Sequence, residues 1–477
     1  MQQLPLCVDC DGTLISTDLL FEGLLQIVKQ DPWCLFLIPY WLLAKGKAHL
    51  KMQVAARSSI AAESLPYNAE FVEYLREQHA QGRSISLVTG SPAPFASAIA
   101  NYIGLFAEVH ATTESCNLTS SRKRDFLCAH FGESRFEYAG NEAADLPIWR
   151  SAGAAIAVNT PASVIRAIPS TVPVTRVFQR GRTSFGTYLR ALRVHQWLKN
   201  LLIFVPMAVS HRVLDPGVEL SAIFAFIAFS LCASAVYILN DLLDLRSDRL
   251  HPRKRFRPFA AGLLSVPQGV AMAAGCVAIA IAVSTQLPPL FWATLAGYMV
   301  VTTAYSFALK NRAIVDVLLL ASLYTVRIIA GSAATGIRPS FWLLAFAMFL
   351  FLSLAVVKRY AELLVMVGDG KQSIHGRGYV AADLPLLITL GVGNGLLAVL
   401  VLALYVNSPE VSQLYRSKET LWLMPPLMLF WVCRVWLKTH RGEMHDDPIV
   451  FAASDRTSLL VGACLGGILL LATMIKP

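Results

Sequence analysis

Charge is scarce in this chain. Only 15% of its 477 residues are Asp, Glu, Lys or Arg, against 55% hydrophobic, a balance that excludes an ordinary soluble enzyme along the whole length. Acids are the scarcer sign: 31 Asp and Glu face 41 Lys and Arg, a net charge of +10. The bases fall in short loops between apolar stretches, as topology-setting charges do, so a membrane and anionic substrates are expected and nucleic acid is not. Cysteine is too thinly spread for a disulfide framework. Nine are scattered, several inside apolar runs, where a small apolar side chain suffices. Cys7 and Cys10 form a Cys-x-x-Cys, but no other feature of a redox protein accompanies it. The opening MQQLPLCVDCDG lacks a basic segment followed by an apolar run; no cleavable signal is expected, and the first domain is expected in the cytoplasm.

What is present divides the chain in two. Residues 1–160 alternate short strand-like runs (Leu6–Val8, Ser84–Val88, Arg135–Tyr138, Ala154–Val158) with helical stretches, the pattern of a parallel α/β sheet. Residues 14–68 interrupt it as a helical cap. Within the cap, Pro32 to Leu43 is apolar and aromatic but too short to span a bilayer. It reads as a buried cap helix or as an interfacial helix helped by Lys45 and Lys47. Residues 161–184, with prolines and arginines, read as a linker. From residue 185 onward nine apolar spans are expected, at 199–213, 219–240, 267–284, 288–306, 314–333, 341–357, 384–405, 421–437 and 457–475. Loops after the even-numbered spans hold most of the loop Lys and Arg, which places those loops in the cytoplasm.

Strand ends in α/β folds are where ligands bind, and polar clusters sit there. The first run leads into Asp9-Cys-Asp11-Gly-Thr13 and the second into Thr89-Gly-Ser91. Lys123 stands in a basic run, and Gly140-Asn-Glu-Ala-Ala-Asp145 follows a later strand. This order resembles the haloacid dehalogenase superfamily of phosphatases. The resemblance implies a Rossmannoid fold, Asp9 as nucleophile, Asp11 as acid and base, Thr89 and Lys123 holding phosphoryl oxygens, and Mg²⁺ held by Asp9, Asp11, Asn141 and Asp145. Asn141 stands where the family usually has Asp. The substitution keeps a ligand oxygen and loses a charge, so weaker metal binding is expected.

The second expected span ends in Asn240-Asp241-Leu-Leu-Asp244-Leu-Arg-Ser-Asp248. At helical spacing the three carboxylates share one face, and neighbouring unpaired acids repel unless a cation joins them. This motif resembles the UbiA superfamily. Asp248 to Gly262, with Arg249, Lys254 and Arg257, resembles more narrowly the branch acting on decaprenyl phosphate and a phosphoribosyl donor. So do the stretches Arg193–Asn200, Tyr305–Lys310 with Asp316, Arg327–Gly331 and Lys358–Leu363.

The resemblance implies Mg²⁺ at Asp241, Asp244 and Asp248, with Asp241 and Asp244 catalytic. It also implies a substrate-binding set of Lys199, Asn240, Arg249, Lys254, Arg257, Tyr305, Lys310, Asp316, Arg327, Lys358, Arg359 and Glu362. A later stretch, Gly442 to Asp447 with Asp455 and Arg456, reads as a second acidic patch or an ordinary loop.

The expected architecture is therefore an α/β haloacid dehalogenase-like domain joined to an all-α, UbiA-like polytopic domain of nine transmembrane helices in a bacterial inner membrane. The expected partners are phosphoribosyl pyrophosphate, a polyprenyl phosphate and the membrane, with a homo-oligomer left open. Rival readings are an aromatic polyprenyltransferase, a phosphatase on an inert anchor, and a transporter.

Overall fold

The structure is a computed structural model and describes residues 3–114, 116–179, 181, 183–307, 309–368, 378–444 and 447–474. His445, Asp446 and Ala308, named in the motifs above, lie outside the described residues, as does the side chain of Lys45. The chain divides into two compact units, Met1–Leu192 with Tyr237–Ala274, and Arg193–Val236 with Gly275–Pro477.

The first unit is built on a six-stranded parallel sheet in the order β3-β2-β1-β4-β5-β6. In chain order its elements begin with β1 (Leu6–Val8), α1 (Leu19–Gln30), α2 (Cys34–Arg57), α3 (Ala69–Ala80), β2 (Ile85–Pro92), α4 (Ala93–Ile103) and β3 (Glu108–Thr112). They continue with α5 (Ser121–Phe131), β4 (Glu137–Gly140), α6 (Leu146–Ser151), β5 (Ala154–Val158), α7 (Ala162–Ile165), β6 (Val174–Phe178) and α8 (Phe185–Ala191). The central strand Leu-Cys-Val is buried at every position, as a parallel strand covered on both faces must be. Asp18 starts α1 by accepting from the backbone N–H of Leu20 at 2.8 Å and of Phe21 at 3.3 Å, which satisfies donors that the helix itself leaves open. Leu19, Gly23 and Ile27 then form its buried stripe.

Two strands escaped the sequence pattern. β3 and β6 are the sheet edges, mostly exposed, so neither carries an uninterrupted apolar run. β6 also corrects the reading of 161–184 as linker, since α7 and β6 lie inside it and β6 pairs with β5.

The cap comprises α1 and α2, and of the two readings of Pro32–Leu43, burial within the cap is the one its exposure goes against. Cys34 and Trp41 are buried, while Trp33, Leu35, Phe36, Tyr40 and Leu43 are exposed.

The helical part begins with a 3₁₀ helix, Val194–Phe204, and α9 (Val205–Val209). There follow α10 (Pro216–Leu243), α11 (Leu245–Leu250), α12 (Val266–Ser284), α13 (Pro289–Phe307), α14 (Val315–Thr335) and α15 (Phe341–Gly368). The last elements are α16 (Leu384–Val406), α17 (Pro409–Leu414), α18 (Met424–His440), α19 (Pro448–Ser454) and α20 (Arg456–Met474). Among the described residues, eight helices are long and apolar enough to cross a membrane: α10, α12, α13, α14, α15, α16, α18 and α20. Nine were expected. The stretch at 199–213 fails because its 3₁₀ turn gives way at Pro206 to a five-residue α-helix, and it turns Lys199 and Asn200 inward. The core of the second unit gathers Val317, Tyr324, Phe351, Val356, Val432 and Trp436 from α14, α15 and α18.

Across the sheet, Arg83 donates to the Leu4 carbonyl at 2.7 Å and pairs with Glu137 at 2.5 Å, both side chains nearly inaccessible. Glu137 in turn accepts from Thr175 of β6, so one carboxylate links β4 to the edge. Arg83→Met strands that carboxylate and is expected to cost about 3–5 kcal/mol, whereas Arg83→Met/Glu137→Met recovers much of the loss. Denaturant unfolding of the α/β domain, followed by limited proteolysis of the full-length protein, measures both.

Candidate active sites

The first cluster forms where β1, β2 and β4 end. Asp9, directly after β1, is 8% exposed and accepts from Lys123 of α5 at 2.7 Å. Lys123 also donates to the Tyr138 hydroxyl at 3.1 Å, and that hydroxyl donates to Asp145 at 3.0 Å. Asp11 accepts from Ser91 Oγ at 2.5 Å and from the Leu19 N–H at 3.0 Å. Burial, reinforced by the nearby Asp18 carboxylate, pushes the Asp11 carboxyl up to about 7. A carboxyl in that range is partly protonated at neutrality, which suits a general acid.

Gly12 adopts φ +76°, and a Cβ there would meet Asn141 Nδ2 at 2.1 Å. Only glycine lets this turn close against Asn141. Asn141 accepts from Thr13 Oγ1 at 3.3 Å. Asp145 accepts from the N–H groups of Asn141 and Glu142 at 2.9 and 3.2 Å, and burial together with Asp9 raises its carboxyl to about 6. Both Asp145 oxygens are thus engaged in holding its neighbours.

The donors around Asp9, namely its own carboxylate and the Asn141 amide oxygen, are hard oxygens of the kind Mg²⁺ takes. They fit such an ion with one carboxylate fewer than the resembled family supplies. Thr89 is buried and accepts from the Ser91 N–H at 3.0 Å.

Sequence reasoning missed Tyr138, and it missed Lys51. Lys51 reaches from the cap to the Gly90 carbonyl at 2.6 Å, and burial lowers its pKa despite Asp11 and Asp18 nearby. No spacing signal marks a lysine that arrives from an inserted helix.

The second cluster, also in the first unit, is the acidic motif, and it does not form one continuous face. The helix breaks at Asp244, which lies between α10 and α11. Arg257 donates to Asp241 at 3.1 Å and to Asp248 at 2.6 Å, joining those two buried carboxylates. Asp244 turns instead to Lys29 of α1, 2.6 Å away, and Lys29 also donates to the Leu243 carbonyl at 3.0 Å. Arg249, expected at a substrate, is committed to the cap. It makes a bidentate pair with Glu22 at 2.9 and 2.6 Å and donates to the Ala260 carbonyl at 3.1 Å. Its planar fork matches a carboxylate as well as a phosphate. Asn240 is half-buried beside Asp241, and Lys254 is exposed.

In the second unit, Lys199 and Lys358 converge on Asp447 at 2.5 and 3.4 Å, with the Tyr324 hydroxyl donating to the same carboxylate at 3.3 Å. Arg327 donates to Asn200 at 2.8 Å and stacks on Phe229, Tyr298 and Tyr324. Gly331 permits this, because a Cβ there would meet the Ile203 carbonyl at 2.0 Å. Arg359, expected as a phosphate ligand, is buried against Asp316, Tyr305 and Glu362. A cation at that depth takes the nearest carboxylate. Lys310 lies half-exposed in a short 3₁₀ turn before α14. Of the second acidic patch, Asp455 pairs with Arg434 at 2.7 and 2.9 Å and accepts from the Ser458 N–H at the start of α20. Among the described residues of this patch, Asp447 is the one that meets expected site residues.

An apolar cavity of about 430 Å³ also lies in this unit, lined by Val205, Phe346, Tyr405, Met428, Trp431 and Leu465 among others.

Comparison with known proteins bears on these clusters. The model of the UbiA prenyltransferase family matches residues 201–454, more than half of the chain. A protein of Sinorhizobium fredii described as uncharacterized protein y4nM is 37% identical over 99% of this chain and 91% of its own length. Nodulation protein NoeC of Azorhizobium caulinodans is 35% identical over 60% of this chain and 94% of its own. Decaprenyl-phosphate phosphoribosyltransferase of Mycolicibacterium smegmatis is 39% identical over 37% of this chain and 56% of its own.

Restoring a carboxylate at the first cluster is expected to tighten Mg²⁺. Asn141→Asp should lower the dissociation constant on the order of tenfold, read by isothermal titration of the full-length protein in detergent. An unchanged constant would remove Asn141 from the ligand set.

Proposed function

The chain belongs to the UbiA prenyltransferase family, and from that membership we propose that its membrane domain moves 5-phosphoribose from phosphoribosyl pyrophosphate to a polyprenyl phosphate. The α/β domain then removes the 5-phosphate. The product is a polyprenyl-phosphoryl ribose, a precursor for arabinofuranose donors of cell-envelope glycans, made at a bacterial inner membrane with the α/β domain in the cytoplasm. The observation that carries the reading is a matched pair of acidic centres in one chain: Asp241 and Asp248 joined by Arg257, and Asp9 paired with Lys123. The identity to the mycobacterial phosphoribosyltransferase supports the choice of substrates.

In the first step the bond from the anomeric carbon to diphosphate breaks and an oxygen of the lipid phosphate bonds to that carbon. Mg²⁺ bound at the acids would supply neutralising charge for the diphosphate. Asp241, Asp248 and the half-buried Asp244 would hold it, and Arg257 is free to move from carboxylate to phosphate because its side chain is 29% exposed. The basic group of Lys199 and Lys358 suits a phosphate, with Asp447 keeping the two ammonium groups in place when no anion is bound. The apolar cavity suits part of an isoprenoid chain.

In the second step an Asp9 oxygen attacks phosphorus while the sugar's 5-oxygen leaves and takes a proton from Asp11. Asp11 then receives a proton from the water that cleaves the aspartyl phosphate. Lys123 offsets charge on the transferred oxygens.

Purified full-length protein with Mg²⁺, labelled phosphoribosyl pyrophosphate and polyprenyl phosphate tests both steps. Wild type is expected to give lipid-linked ribose, Asp9→Asn lipid-linked phosphoribose, and Asp241→Asn at least a hundredfold less labelled lipid, the scale on which loss of transition-state charge compensation acts. Mass analysis of the lipid phase reads all three. Phosphoribose from wild type and Asp9→Asn alike would sink the second step. No labelled lipid from either would sink the first and favour prenyl transfer to an aromatic acceptor.

A further inference from the structure

The cap carries a surface that neither proposed reaction uses. From Pro32 to Ala44 there is no charged residue, and the apolar helix Cys34–Ala44 turns only Cys34, Ile38 and Trp41 toward the cap. Trp33, Phe36 and Leu43 are 77%, 72% and 84% exposed, and Leu35, Leu37, Tyr40 and Leu42 accompany them. A patch of this density on so short an element is a contact surface rather than scattered surface hydrophobes. Gly46, at φ +77° and ψ −179°, breaks α2 where the patch ends. The second half of the helix then returns to the cap, burying Leu50 and Val54 and delivering Lys51 to the Gly90 carbonyl.

Where this helix starts is set by the pairs already described. Lys29 donates to the Leu243 carbonyl and to Asp244, at the end of the membrane-spanning helix α10. Arg249 holds Glu22 on the same α1. Trp33 is four positions after Lys29, a reach of at most about 14 Å, and the end of a spanning helix lies at headgroup depth. Eleven helical residues extend about 16 Å, too little for a hydrocarbon core of about 30 Å. Trp and Tyr at the rim, followed by the exposed Lys47 and Arg57, are the composition of a helix lying in an anionic interface.

We propose that Cys34–Ala44 binds the surface of the lipid bilayer, with Trp33, Phe36, Tyr40 and Leu43 among the acyl chains, so that the phosphatase cap is held against the membrane at two points. One is the Glu22–Arg249 and Lys29–Asp244 pairs. The other is this helix.

The test uses full-length protein with Cys116, Cys433 and Cys464, the exposed cysteines, changed to Ser, reconstituted in nanodiscs of phosphatidylglycerol and phosphatidylcholine. Nitroxide labels are attached at Phe36→Cys, at Leu43→Cys and, as an aqueous control, at Glu77→Cys on α3. Relaxation by oxygen, which concentrates in lipid, is compared with relaxation by a water-soluble nickel chelate. Labels at 36 and 43 are expected to favour oxygen and the label at 77 the nickel chelate. In nanodiscs made with lipids brominated near the headgroup, Trp33→Phe should remove part of the tryptophan quenching seen in wild type. Labels at 36 and 43 as accessible to nickel as the label at 77 would overturn the proposal. So would protection from both reagents with dipolar broadening, the signature of a second copy of the chain on this face.

Discussion

A carboxylate taken out of water is costly unless a cation or several hydrogen-bond donors lie within reach, and five buried acidic centres of this protein meet that constraint with a cation. Asp9 has Lys123, Asp241 and Asp248 share Arg257, Asp316 has Arg359, Asp447 has Lys199 and Lys358, and Glu137 has Arg83. Exposure separates two kinds of pair. Arg359 and Asp316 are both at or below 1%, closed to ligand, and serve to hold α14 and α15 together. Arg257 is 29% exposed over carboxylates at 3%, so solvent reaches it. The first kind is architecture; the second stays open on one side.

The same accounting binds the cap to the acidic motif. Glu22 and Lys29 stand on one helix of the cap, and their partners Arg249 and Asp244 stand on either side of the break that ends α10. Asp244 thus answers to the cap while Asp241 and Asp248 answer to Arg257. The segment that composition marks as linker carries α7 and β6, the latter paired with β5.

Much of this was legible in the residues. The D-x-D at the end of an apolar run, the later Thr89, Lys123 and Asn141, and the acids after an apolar span are local patterns whose chemistry follows from residue type and spacing. Asp9 and Lys123 pair, and Asn141 packs against Gly12. Edge strands β3 and β6 were not legible, because a half-exposed strand needs no apolar run. The carboxylate partners of Arg249 and Arg359 were not legible for a related reason: a guanidinium fits a carboxylate and a phosphate with the same geometry, and sequence position does not say which lies opposite.

The sequence by itself determined the division into an α/β part and a membrane part and the families each resembles, since hydrophobic period and motif spacing are properties of neighbouring residues. Tertiary structure alone decided which charges are spent on one another, that Lys51 reaches the Gly90 carbonyl, that the acidic helix breaks at Asp244, and that the aromatic cap helix faces outward. Each of those depends on which segments, far apart in the chain, a buried charge or an apolar face finds within a few ångströms, and that distance is written in no local pattern.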